Sequence, residues 1–291
     1  MKKMLVIITA ALLQLLFSCN KIETPAPVKG KPVTLQAGLN ADTKVSHSLD
    51  GTTIKPAWEA EDQIEVVFTK DETEVVETFT LSDGIGSSNA TFSCASSQLE
   101  EGMTYSVYYP SRTCDWSEQD GSVANLPEYL VAESVTSLAS PITLSPRLTY
   151  FHFVLSAPTS GSASYNYAIF TKPVVAAKWY KNNETEGYIA VKPQSSYNVN
   201  TSMEPLDFYL AILFDGNTSE GTKDFFDDES PSEMRITLQG SKPSGVNLGG
   251  VSNPTPTAPN HYYSWKPSKN YQAGKIYKVS GQLKSQSGSA R

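Results

Sequence analysis

Three cysteines and three histidines are all that 291 residues contain, which leaves little from which to build a metal centre or a nucleophilic site. The histidines, His47, His152 and His261, fall in no HExxH arrangement, and no GxSxG or P-loop pattern occurs. Arginine is sparse as well: Arg112, Arg147, Arg235 and Arg291. The 23 basic residues are outnumbered by 30 acidic ones, and the formal net charge is −7. An acidic chain without a basic cluster carries no electrostatic footprint for nucleic acid. Asp224, Asp227, Asp228 and Glu229 offer hard oxygen ligands, but without the alternating acids and central glycine of a calcium loop. They read as solvated loop charge. The expectation is a non-enzymatic protein with no catalytic residues, no metal and no cofactor.

The N-terminus supplies what the rest lacks, a long apolar run. Lys2 and Lys3 precede Met4–Phe17, which is interrupted only by Thr9 and Gln14. The run is too short to span a bilayer and suits the apolar region of an export signal. It ends in Leu16-Phe17-Ser18-Cys19. A small residue followed directly by cysteine resembles the lipobox of bacterial lipoproteins, in which the signal is cut before the cysteine and its sulfur is acylated. Cys19 is therefore the expected lipidation site. Two or more acyl chains hold a protein on a membrane, at about 0.8 kcal/mol per buried methylene. Residues 1–18 are read as signal peptide. Residues 19–32, with Pro25, Pro27 and Gly30, are read as a tether.

Beyond the tether, the dominant pattern is alternation over four to eight residues, broken by Gly, Ser, Asn, Asp and Pro. Val33–Leu39, Gln63–Phe68, Val75–Leu81, Ala90–Cys94 and Thr104–Tyr109 read as strands. Leu148–Ser156, Tyr167–Thr171, Gly187–Val191, Leu206–Phe214, Met234–Leu238 and Lys275–Leu283 continue the series. Glu128–Ala139 has no good helix cap, and its β-branched residues make it irregular or a short strand. Pro141 and Pro146 bracket Ile142–Leu144, which reads as a boundary between two domains, 33–145 and 146–291. The stretch 240–259 reads as a long surface loop, with the aromatics after it in a loop as well, and residues 284–291 as a polar tail. The fold class is all-β, with sandwich or barrel domains in tandem.

Several segments together resemble the fimbrillin-like (Mfa-like) surface lipoproteins of Bacteroidetes, which build type V pili. Trp58-Glu-Ala-Glu-Asp62-Gln-Ile64 is similar to that family's W-x-x-G-D-x-I, with Glu61 in place of the glycine. Tyr105-Ser-Val-Tyr-Tyr-Pro110, Asn125-Leu-Pro-Glu-Tyr129, Tyr150-Phe-His-Phe-Val-Leu155 and Ala273-Gly-Lys-Ile-Tyr277 follow in the family's order. The resemblance implies two tandem β-sandwich domains of transthyretin-like kind. It also implies anchorage at the outer membrane, on the cell surface or in a fimbrium, and a place as stalk, tip or anchor subunit. Partners would be other pilus subunits and a host or bacterial surface ligand such as a glycan. In polymerising members a protease cuts after an arginine in the first domain, and a strand of the next subunit fills the groove this opens. No arginine lies in the first strands here, and Lys44 is the nearest basic residue.

The final strand, with Ile276, Tyr277, Val279 and Leu283, is the donor-strand candidate; completing its own domain is the competing role. Two aromatic clusters, Trp179-Tyr180 and Tyr262-Tyr263-Ser-Trp265, are candidates for an adhesive surface if they are exposed. They also support an alternative, an outer-membrane lipoprotein that binds glycan for an uptake system. Cys94 and Cys114 could pair in an oxidising compartment, closing a loop worth roughly 3 kcal/mol. Two buried free thiols are the other possibility.

Overall fold

The computed structural model describes residues 30–39, 49–50, 53–54, 57–114, 116, 118–171, 180–181, 184–185, 188–213, 234–241, 260–266, 271 and 273–286. Among these the fold is all-β, without a helix. The first half contains β1 (Lys31–Leu39), β2 (Leu49–Asp50), β3 (Thr53–Ile54), β4 (Gln63–Lys70), β5 (Thr73–Asp83), β6 (Asn89–Ser97), β7 (Tyr105–Tyr109), β8 (Glu118–Gln119), β9 (Leu130–Val135) and β10 (Ile142–Pro146). The second begins with β11 (Leu148–Ser156), β12 (Ala163–Tyr165), β13 (Tyr167–Thr171), β14 (Tyr180–Lys181), β15 (Glu184–Thr185) and β16 (Tyr188–Val191). It ends with β17 (Tyr197–Val199), β18 (Leu206–Leu213), β19 (Met234–Gln239), β20 (Asn260–Trp265), β21 (Ile276–Gln282) and β22 (Lys284–Gln286).

In the first half, hydrogen bonding closes one sheet on itself in the order β1-β10-β9-β7-β4-β5-β6, where the family resemblance implies two facing sheets. β1 makes the closure. It runs antiparallel to β6 and parallel to β10, so it pairs with neighbours on both sides. Alternate residues point inward: Leu35, Ala37 and Leu39 of β1 meet Ile64 and Val66 of β4, Phe79 of β5, Phe92 of β6 and Leu144 of β10. Ile142–Leu144, read from the sequence as a domain boundary, is therefore a barrel strand. Its flanking prolines cost little, because Pro146 stands at the strand end.

The tryptophan motif closes one end of this barrel. Trp58 is fully buried, with its ring edge-on to Phe92 at 4.9 Å and to Tyr109 at 5.2 Å. Asp62 pins the turn that follows. Its carboxylate accepts from the Glu59 amide at 2.7 Å and from the Tyr109 hydroxyl at 2.9 Å. The chain must reverse between these two residues, and Glu61 does so at φ 73°. That is the left-handed region, where a Cβ is strained and glycine is not. The one departure from the motif thus falls where backbone geometry calls for glycine.

In the second half, a three-stranded sheet (β18-β11-β21) faces a six-stranded one (β22-β20-β19-β13-β16-β8). Phe151, Phe153, Leu155, Leu210 and Ile212 from the first meet Ala168, Phe170, Ile189, Val191, Ile236 and Leu238 from the second in one core. Two sheets thus face each other across this core. Tyr263 lies flat over Gly281, so close that a Cβ there would sit 2.0 Å from the ring. The 240–259 loop lies outside the described residues apart from Gly240 and Ser241. The aromatic run after it is β20 and not a loop, with His261, Tyr263 and Trp265 on the face toward the core. The edge strand β8 comes from the first half of the chain and joins β16 in parallel.

Two outcomes test the barrel. Glu61→Gly relieves the strained turn, and denaturant unfolding is expected to show a gain of about 0.5–1 kcal/mol. Buried tyrosines set the alkaline limit. Burial, then the negative charge of Glu101, pushes the Tyr105 hydroxyl up to about 12. Burial, then Asp62, raises Tyr109 further. These phenols are neutral in the fold and ionise near 10 when unfolded. Their stabilisation is complete below pH 10 and falls as pH rises through the folded values. Tyr105 contributes the part of that loss that falls between pH 10 and 12, readable in unfolding curves across that window. Tyr105→Phe flattens part of that loss.

Candidate functional site

Two strands carry the geometry that strand addition needs, and they differ in how firmly they are held. β1 has β6 along nearly its whole length, from Lys31 to Gly38. Its second partner, β10, meets it only at Ala37, Gly38 and Leu39. Residues 31–36 are therefore bonded along one edge only among the described residues. β9 does not close the gap, because its pairing to β10 is confined to Leu130 and Val131. The barrel seam is half open at this point, and Leu35 is buried beside it.

β21, the donor candidate, is fully engaged within its own sandwich. It runs parallel to β11 through seven pairs, from Tyr150↔Ile276 to Ser156↔Gln282. Val279 and Leu283 are buried in the core, and Tyr277 packs against it. Ile276 contacts a separate apolar cluster between the halves. Among the described residues no strand lies on its outer edge, where Ser280 accepts the Tyr263 hydroxyl at 3.0 Å. Lys278, a charge within an edge strand, discourages unplanned pairing there.

The aromatic candidates divide. Trp179 lies outside the described residues, and Tyr180 is known only as part of the β14–β15 hairpin. Tyr263 and Trp265 face inward, stacked on each other at 6.0 Å. Trp265 packs edge-on to Phe153 at 5.4 Å and donates its indole N–H to Tyr271 at 3.2 Å. Both rings are half-buried against the sandwich core. They do not form an exposed adhesive patch. Tyr262 alone points the other way, with the Arg235 guanidinium 3.8 Å above its ring and Lys284 at 6.0 Å.

Cys94 and Cys114 are free thiols here. Cys94 packs against the barrel core and Cys114 against the apolar cluster between the halves. Burial raises the Cys114 thiol, whose S–H donates to the Ser111 carbonyl at 3.1 Å, so it is a poor nucleophile. His152 is on the outer face of β11, opposite Phe151 and Phe153. It stacks on Tyr209 at 4.4 Å and meets Asp207 at 2.9 Å. His261 is fully buried between the Tyr165 hydroxyl at 2.7 Å and the Ser160 carbonyl at 3.3 Å. Both are tied into the framework. His47, the acidic cluster 224–229 and Cys19 lie outside the described residues. Among the described residues no group of three or more His, Cys, Asp or Glu is placed to hold a metal ion.

Sequence reasoning missed the role of residues 116–129, which form the junction between the halves; of these only Asn125-Leu-Pro-Glu-Tyr129 falls in a motif of the resemblance. Gln119 is buried, yet Ser117, Glu118 and Asp120 flank it in sequence, so no local signal marks it.

No family model matches the chain, and no curated protein matches it. Among solved structures, it is similar to a candidate cell adhesion protein of Bacteroides ovatus ATCC 8483. The identity is 11% and the TM-score 0.40, over 86% of this chain and 92% of that one. It is also similar to a fimbrial assembly protein of Parabacteroides distasonis ATCC 8503, at 10% identity and TM-score 0.33, over 86% of this chain and 90% of the other. A candidate adhesin of Bacteroides ovatus ATCC 8483 matches at 9% identity and TM-score 0.33, over 73% of this chain and 78% of the other. Likenesses at these scores carry no argument about role, which rests on the residues themselves.

Proposed function

We propose that this chain is an exported, lipid-anchored surface protein of fimbrillin type, joined to other pilus subunits by strand addition and engaged in adhesion. The observation that carries the reading is the one-sided pairing of β1. A strand bonded along one edge over residues 31–36 and along both only at 37–39, with Leu35, Ala37 and Leu39 alternately buried, can be replaced by an incoming strand with the same alternation. Main-chain bonds to β6 would hold the newcomer, and pockets lined by Phe92 and Leu144 would select it. Cys19 provides the anchor and residues 19–32 the reach.

Release of β1 requires a cut between β1 and β4. The sequence has no arginine there, only Lys44 and Lys55 as basic residues. That favours a tip or anchor subunit, which receives one neighbour, over a repeating stalk subunit, which must be opened in every copy. The glycan-uptake alternative loses Tyr263 and Trp265 to the core and keeps only Tyr262 among the described aromatics of that cluster.

The test is an unboiled SDS gel of material sheared from native cells and probed for this chain. The tip or anchor reading expects a discrete complex with one other subunit, sensitive to boiling, and no self-ladder. A regular ladder of multimers would make this chain a stalk subunit. Monomer alone, beside another pilin that shows its ladder, would overturn strand-linked assembly.

A further inference from the structure

The outer edge of β18 is closed by the first half of the chain. β18 pairs along its inner edge with β11 over eight positions, Leu148↔Leu213 to Leu155↔Leu206. At Tyr209 and Ala211 its outward-facing groups are met by residues 119–121. The Gln119 side-chain amide donates to the Ala211 carbonyl at 2.8 Å and accepts from the Ala211 amide at 2.8 Å. The Tyr209 amide donates to the Gly121 carbonyl at 2.8 Å. Gly121 has φ +78°, and a Cβ there would come within 2.7 Å of Val191 and 3.2 Å of Phe208. Only glycine lets the backbone lie this close. Meanwhile Glu118 and Gln119 form β8, so one segment caps an edge of both sheets of the sandwich.

This segment packs on the sandwich and is joined to the barrel at both ends. It lies between β7 and β9, both barrel strands. Trp116 and Leu126 pack with Leu148, Tyr150 and Ala211, and the Tyr150 hydroxyl donates to the Pro127 carbonyl at 3.2 Å. At its far end the Arg147 amide donates to the Tyr129 carbonyl at 2.8 Å, and the Arg147 guanidinium meets Glu133 of β9 at 2.9 Å.

We propose that residues 116–129 are an autoinhibitory strap: the barrel keeps the β18 edge closed, and an event that loosens the barrel around β9 and β10 opens it. An unclosed β edge is a template for another chain. The strap makes that template conditional on an intact first half. It depends on no property of β1 and stands whether or not the chain is a pilus subunit.

Native-state hydrogen exchange on the full chain, over rising sub-denaturing guanidinium, tests this. The amides of Tyr209 and Ala211 face the strap, whereas those of Phe208 and Leu210 face β11. The expected result is that Tyr209 and Ala211 exchange together with barrel amides such as Val66 and Val107, while Phe208 and Leu210 stay protected. Gln119→Ala is expected to speed Ala211 exchange by about three- to tenfold and leave Leu210 unchanged. Exchange of Tyr209 and Ala211 only with Phe208 and Leu210, independent of barrel opening, would overturn the strap. So would an unchanged Ala211 rate in a folded Gln119→Ala variant. Should that variant fail to fold, the wild-type denaturant series decides alone.

Discussion

A strand edge turned away from water must find hydrogen-bond partners somewhere, and at Ala211 of β18 a single side chain supplies them. A carboxamide has the same donor and acceptor as a peptide group. Gln119 can therefore stand in for one residue of a neighbouring strand, giving Ala211 both of its bonds. A buried amide left without partners would cost about 1–3 kcal/mol, so this substitution is a condition for burying the edge at all. The apolar cluster of Trp116, Leu126, Leu148, Tyr150 and Ala211 surrounds it and keeps water out. The two halves, joined covalently at Arg147, are thus also joined by an edge that only the first half can complete.

The same question of edges organises the rest. The barrel solves it by closure, with β1 as the piece that completes the ring and, along its first six residues, leaves the ring incompletely sealed. The sandwich solves it at one side with the strap and leaves β21 at the other, where Lys278 and the Tyr263 contact to Ser280 limit pairing. A protein built this way has few places where another strand can enter. Among the described residues, the seam beside β1 combines main chain bonded along one edge with buried apolar side chains.

Local pattern made much of this legible. The alternation of Gln63–Phe68 and Leu148–Ser156 marks β4 and β11 and puts His152 opposite Phe151 and Phe153. The same rule, applied to His261-Tyr-Tyr-Ser-Trp265, would have placed Tyr263 and Trp265 on the core face with His261. The Gly- and Pro-rich stretch before them suggested a loop instead. Glu61 could be noticed only against a motif, and its meaning came from a positive φ. Other features are not local at all. Closure of the barrel depends on Ala37 meeting Ile142, and the strap on Gln119 meeting Ala211, 92 positions later. β8, two residues long, has no periodicity to read. The proposed lipid anchor at Cys19 rests on sequence alone, since residues 1–29 lie outside the described residues.

The direct test is an NMR exchange measurement on the two carboxamide protons of Gln119. If that side chain replaces a strand, its amide protons are protected from solvent and exchange on the timescale of the Ala211 backbone amide. Exchange as fast as that of the exposed Gln63 side chain would mean that the β18 edge is closed by something else.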